Sequence, residues 1–364
     1  MLDRDRVSQD LHAYVSRYSA GHREVFDGII DQWGALCTDP LAAQKAHERE
    51  WPFLVPQWDG LLGLQFSIEN ITGDYSLFSV DGSQLYPERH QGIPCALVNI
   101  GTAAFSYGQT TSKAELFSKP YLITPNNLSD GEDAFIDEAF IRSLRTEYEL
   151  KGGLETSALY KGAPFFFDGS LILWHMDESK KGAEDYFFKR YVDCFVTLEQ
   201  QEVLHAGYIS MPKSRELVNI MRALCPVDPA LLRYFTDADL VASFLKPDHR
   251  TLLFKSRAHI TSHYPPSVHP FFFYLNVGSE IARVEIPQWI AENEIYINKI
   301  TSILIDQCDK GRGYPVCLAE AHEQAVVKAA DREFFFACMA KWLNREGAAF
   351  ISSRKSLLKK TAAI

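Results

Sequence analysis

The sequence predicts an α/β protein, a mixed sheet flanked by helices and preceded by a helical N-terminal extension. Three observations carry this. Apolar residues recur with helical spacing over roughly the first 36 positions. Short apolar runs bounded by turn residues follow. Those runs and the amphipathic stretches between them come in the order strand, strand, strand, helix, strand, helix, strand. With 364 residues, 46% hydrophobic and 23% charged, the chain can bury a large core as one elaborated domain or two, which excludes a disordered or fibrous protein.

From Leu2 to about Leu36, Val7, Leu11, Val15 and Tyr18 share one helical side, and Val25, Ile29, Ile30 and Trp33 continue it. Pro52, Pro56 and Gly60 break the pattern. "YSLFSV" (Tyr75 to Val80) then reads as a strand ending at Asp81, and Cys95 to Gly108 and Ala114 to Ile123 as two more, a three-strand meander. A helix from about Asp133 to Lys151 opens on the acidic "SDGEDAF", which suits the positive end of a helix dipole, and Gly152-Gly153 weakens or ends it. "APFFFD" is apolar enough for the middle of a sheet. A helix (about Glu184 to Gln201), a strand (Val203 to Ser210) and a helix (Ser214 to Leu224) follow. The segment from Pro226 to about Tyr264 reads as a possible insertion. "HPFFFYLNVG" and "IARVEIP" form a hairpin through Gly278-Ser279. Two long helices, about Gln288 to Cys308 and Val316 to Asn344, end the chain. The resulting division is a helical extension over 1–60, a main domain over 61–345 with 226–264 as the insertion, and a basic tail over 346–364.

This order is the layout of a ribonuclease H-like sheet, in which the ends of the first and fourth strands lie side by side. Asp-Gly-Ser occurs twice, at Asp81 and at Asp168, each time after an apolar run. Either copy alone reads as a β-turn. In this topology the two aspartates meet and form halves of one metal site. Hydrolysis of a phosphodiester by two hard divalent ions, roughly 3.5–4 Å apart, needs a few carboxylates and little else from the protein. The helix between the strands offers a third. At about 100° per residue Glu147 falls beside Phe140 and Leu144 on the apolar side, so the helical face favours Glu147, with Glu149 as the alternative. Further on, Tyr314 precedes a helix starting at about Pro315 that carries His322, a residue type suited to holding a water or a phosphate near neutral pH.

The formal charge of -10 excludes a protein that coats nucleic acid by bulk attraction. It leaves room for local cationic contacts at Lys180-Lys181, Lys189-Arg190 and Ser352 to Lys360. The seven scattered cysteines show no C-x-x-C spacing and point to neither a disulfide framework nor a zinc site. No stretch approaches the roughly 18 uninterrupted apolar residues of a membrane span, and the charged start is unlike a signal peptide, so a cytoplasmic protein without membrane partners is expected.

"SVDGSQ", "FFDGSLI", "GYISMPKSRELV", "ARVEIPQWI" and "GYPVCLAEAHEQA" resemble, in the same order, the successive motifs of the NurA nucleases, from roughly Tyr75 to Arg332. The resemblance implies a ribonuclease H-like fold and a Mn²⁺-dependent (or Mg²⁺-dependent) enzyme, a 5′-to-3′ exonuclease and single-strand endonuclease acting on single- and double-stranded DNA. It also implies a homodimer and a partnership with a HerA-like hexameric ATPase in DNA end resection. Carried over by position, its catalytic residues are Asp81, Glu147 or Glu149, Asp168, Tyr314 and His322, the carboxylates holding two metal ions. Two competitors come from other classes. An actin- or sugar-kinase-like ATP-dependent phosphotransferase also places strand-end aspartates near Mg²⁺, but it calls for more glycine around the phosphates than Asp-Gly-Ser supplies. A catalytically silent interaction module would lack one of the carboxylates, and all are present.

Overall fold

The computed structural model describes residues 2–86, 95–108, 111–124, 138–176 and 183–346. The expected helix opening near Asp133, the Lys180-Lys181 pair and the basic tail beyond residue 346 lie outside the described residues. The chain divides into two compact units, Met1–Asn70 with Tyr208–Ile305, and Ile71–Gly207 with Asp306–Ile364.

In chain order, α1 (Arg4–Cys37), α2 (Ala42–His47) and β1 (Gln65–Ser67) open the first unit. The second unit takes up β2 (Tyr75–Leu85), β3 (Ala96–Tyr107), β4 (Lys113–Ile123), α3 (Glu138–Leu159), β5 (Phe165–Asp168), α4 (Ala183–Gln200) and the start of β6 (His205–Ile209). The chain then forms α5 (Glu216–Leu224), α6 (Pro229–Leu232), α7 (Asp237–Ala242), β7 (His249–Thr251), β8 (Phe254–Lys255), β9 (Pro270–Asn276), β10 (Ile281–Pro287), α8 (Gln288–Ala291) and α9 (Glu294–Lys310). Finally α10 (Val316–Ala325) and α11 (Ala329–Arg345) belong to the second unit.

In the first unit α1 starts where Asp3 accepts the Arg6 amide at 3.1 Å, satisfying one of the donors a helix start leaves over. Its later turns bury Ile29, Trp33 and Leu36 in a core with Leu217 and Met221 of α5 and Phe272 and Tyr274 of β9. Its early apolar residues Leu11, Tyr14 and Val15 are exposed. The strands run β1–β7–β9–β10, with β8 also on β9, and the expected β9–β10 hairpin turns through Gly278 at φ +80°. The segment from Pro226 to Tyr264 supplies α6, α7, β7 and β8. It is tied in by Asp237, whose carboxylate accepts the amides of Glu216, Leu217 and Val218 at 2.8, 2.8 and 2.9 Å and so caps α5.

The second unit holds a mixed sheet in the order β6–β5–β2–β3–β4. β2–β3 and β3–β4 are antiparallel, while β2 and β5 are parallel with Phe78, Ser79 and Val80 opposite Phe165, Phe166 and Phe167. That register puts Asp81 and Asp168 one step beyond the last pair, on adjacent strands.

Four boundaries differ from expectation. β2 does not end at Asp81 but continues to Leu85, paired with β3 throughout. α3 does not end at Gly152-Gly153: a Cβ on Gly153 would stand 2.0 Å from the Phe165 ring, so the glycines let the helix lie close on the sheet. The last helix is two, because the carbonyls at the end of α10 are taken by the sheet. Asn99 Nδ2 donates to Gln324 O at 3.2 Å and Ala325 O at 2.8 Å, and the Ser83 hydroxyl donates to Ala325 O. Likewise α8 and α9 part at Glu292–Asn293, where Asn293 Oδ1 accepts the Ile295 amide at 3.0 Å. No described helix is long and apolar enough to cross a membrane.

His205 at the start of β6 is fully buried, its Nδ1 2.9 Å from Val203 O and its ring stacked on Phe195. Burial pushes its pKa down from 6.5 to about 4. An unfolded chain takes up this proton as pH falls through about 6.5, while the folded chain resists until about 4. Stability from this group is therefore complete above 6.5 and lost between 6.5 and 4, by up to about 3 kcal/mol. A His205→Gln protein is expected to show a flatter fall in denaturation midpoint over that window than the parent, and parallel curves would contradict the assignment.

Candidate active site

Strand alternation decides which face each residue of "VDGS" serves. Asp81 and Ser83 share one face of β2 with Gly101 of β3, the residue paired with Asp81. α10 lies on that face so closely that a Cβ on Gly101 would stand 2.2 Å from Ala325 N and 2.5 Å from Ala321 O. This approach brings His322 to the strand: its Nδ1 is 2.8 Å from Asp81 Oδ2, with the imidazole 58% and the aspartate 18% exposed.

Val80 and Gly82 face the other way, toward α3. A Cβ on Gly82 would stand 2.6 Å from Glu149 Oε1 and 2.7 Å from Arg145 Cγ. The first Asp-Gly is thus no turn, since its glycine makes room for a carboxylate. Glu149 is the helix residue that the structure sets against β2. Burial pushes its pKa up to about 8, with the charges of Asp81 and Asp168 adding to the rise and Arg145 and the Gly82 amide opposing it. Arg145 Nε lies 3.0 Å from Glu149 Oε1 but off the line of a hydrogen bond, so both buried atoms lack an aligned partner.

Glu147, favoured from the sequence, sits elsewhere. The apolar-face argument found it buried, which it is, at 0% exposure. However, α3 is covered on two sides, by the sheet and by α4. Glu147 faces α4, where its carboxylate pairs with Arg190 and, at 2.5 Å, with Lys151. Two residues of separation turn a helix by about 200°, so only one of the pair can face β2. The signal for Glu149 was present in Gly82, a strand residue with no side chain on the helix-facing side. Arg145 was not singled out from the sequence.

Asp168 is the last residue of β5, before Gly169 at φ +145°. The residue is open to solvent, yet its carboxyl is desolvated enough that burial raises its pKa. The Tyr314 hydroxyl donates to it and His322 also favours its charge, while Asp81 opposes it. Tyr314 is itself pushed up, by burial first and then by Asp168. Asp81, Asp168 and Glu149 are thus electrostatic neighbours, with Tyr314 and His322 on two of them, all within the second unit. Among the described residues no group of three or more His, Cys, Asp or Glu side chains is already placed to hold a metal ion. The donor set nonetheless fits a hard divalent cation: it is all carboxylate oxygen, and Glu149 has one buried oxygen without an aligned hydrogen-bond partner.

The family model described as the NurA domain matches residues 75–327, from the start of β2 to just beyond α10. No curated protein matches the sequence. Among solved structures, a crystal structure of NurA is 13% identical over 75% of this chain and 90% of its own, with TM-score 0.38. A structure of NurA with manganese is 10% identical over 76% and 91%, with TM-score 0.36. One of NurA bound to dAMP and manganese is 11% identical over 91% and 95%, with TM-score 0.38.

Proposed function

The chain belongs to the NurA family, and on that premise we propose that it is a metal-dependent DNA nuclease. The observation that supports the proposal is that Asp81, Glu149 and Asp168, from β2, α3 and β5, lie near enough for Asp81 to raise the pKa of the other two, with a histidine and a tyrosine bonded to two of them. These three carboxylates would hold the cation. Mn²⁺, the ion in two of the NurA structures, and Mg²⁺ both suit such oxygen ligands. When bound, such ions, two in this proposal, neutralise the phosphate oxygens, activate water for attack and stabilise the leaving oxygen.

The chain's own residues supply orientation and protons. Asp81 fixes the His322 ring through Nδ1, leaving Nε2 to meet a phosphate oxygen or the attacking water. Burial and Asp168 keep the Tyr314 hydroxyl protonated, so it can donate as charge develops. The motif resemblance supports the finer reading that the enzyme degrades DNA from 5′ to 3′, nicks single strands, and resects DNA ends as a homodimer with a HerA-type hexameric translocase.

His322→Ala and Tyr314→Phe are expected to slow single-turnover cleavage on the order of 10²-fold while changing DNA affinity little, since a preorganised donor matters most in the transition state. The check is to measure melting temperature, affinity and single-turnover rate on the same preparations, with 5′- and 3′-labelled strands to read polarity. An unchanged rate in a stable His322→Ala protein would remove the residue from the reaction.

A further inference from the structure

Glu147 is a fully buried carboxylate outside the proposed metal site, and its partners lead to a surface on the α4 side of α3. It holds both Arg190 and Lys151, whose side chains are 34% and 46% exposed. The Arg190 guanidinium lies over the Tyr186 ring, 4.7 Å from its centroid, and bonds its hydroxyl. Tyr186 remains 48% exposed. Beside them Tyr148, close enough to feel the charges of Glu147 and Arg190, packs on Tyr121 with centroids 4.5 Å apart. Lys119 lies 5.2 Å from the Tyr121 centroid, 54% exposed and also paired with Glu155. Three tyrosines and three cations thus share one surface, and two of the cations, Lys151 and Arg190, are fixed by the buried Glu147 rather than left to solvent.

A row of partly exposed aromatics beside anchored cations matches what unpaired nucleotides need: rings that take bases by stacking, and charges that follow the phosphates. A duplex hides its base faces and would gain only the charge. Resting on the nuclease reading, we propose that Lys119, Tyr121, Tyr148, Lys151, Tyr186 and Arg190 form a binding track for single-stranded DNA. Glu147 acts as its positioning residue, and α3 carries the track and Glu149 on different faces.

The test is fluorescence anisotropy with a labelled oligothymidylate and a labelled hairpin duplex, both on the Asp81→Asn background in chelator. Adding Tyr186→Ala should raise the single-strand Kd about tenfold, the loss of one stacked base, and leave the duplex Kd within about twofold. Lys119→Gln, at an exposed site, should lower the salt dependence of single-strand binding by about one ion. An unchanged single-strand Kd in a Tyr186→Ala protein of normal melting temperature would overturn the track, as would an equal loss on duplex. Should Tyr186→Ala not fold, an unaltered salt slope in Lys119→Gln would do the same. If the parent protein cleaves no DNA with any divalent ion while Tyr186→Ala still weakens single-strand binding, the nuclease reading fails and the track stands. Cleavage by the parent with no effect of either variant gives the reverse.

Discussion

Asp81→Asn and Asp168→Asn are each expected to lower DNA cleavage by at least about 10³-fold in a protein that melts as the parent does. An amide preserves the shape of the carboxylate but removes the charge that holds a cation. Electrostatic stabilisation by that cation is worth several kcal/mol, which at about 1.4 kcal/mol per tenfold sets the size of the loss. The folded chain tolerates the change because each carboxylate sits among others: Asp168 is disfavoured in its charged form by burial and by Asp81. Removing one charge relieves part of that repulsion. Near-parental rates in either folded variant would break the link between the paired strand ends and the reaction.

Glu149→Gln and Glu147→Gln are expected to behave oppositely. Glu149 has its pKa raised from 4.5 to about 8 in the folded protein. Its contribution to stability is therefore fully present below about 4.5 and is lost as pH rises through about 8, where ionisation favours the unfolded chain. In chelator at pH 8, Glu149→Gln should be more stable than the parent, on the order of 4–5 kcal/mol, with the gap closing toward pH 4.5. Added Mn²⁺ should then raise the parent's melting temperature and leave this variant's unchanged. Glu147→Gln should keep the Mn²⁺-induced rise but start from a melting temperature lowered by about 1–3 kcal/mol of lost stability, since it leaves Arg190 and Lys151 without their shared carboxylate. Thermal melts across pH, with and without metal, read both. A metal response lost in Glu147→Gln and kept in Glu149→Gln would reverse the assignment.

The elements that carry Asp81 and Asp168 were legible because their runs, "YSLFSV" and "APFFFD", are short, apolar and bounded by polar residues. That their ends lie side by side followed from the order of elements, and the structure pairs the two strands in parallel. Glu149 was harder to read for two reasons. A helix covered on two sides has two buried faces, and hydrophobic phase picks out only the one that carries Glu147 and faces α4. And Asp81-Gly82 carries turn chemistry in a place where β3 pairs with every residue through Leu85, so that the glycine serves packing. The break between α10 and α11 was illegible for a third reason: no glycine or proline marks it. The residues that end the helix, Ser83 and Asn99, lie more than two hundred positions earlier in the chain and reach it only once the sheet has formed. Local sequence records local signals, and the site is assembled from long-range ones.

This carboxylate cluster is expected to cleave DNA with a divalent cation. The most direct measurement is incubation of the purified protein, beside its Asp81→Asn variant, with end-labelled single- and double-stranded DNA in Mn²⁺, Mg²⁺ or chelator. The expected result is cleavage by the parent in Mn²⁺ or Mg²⁺, none in chelator, and none above background by Asp81→Asn in any condition. Cleavage that persists in chelator, or that survives in folded Asp81→Asn, would contradict it.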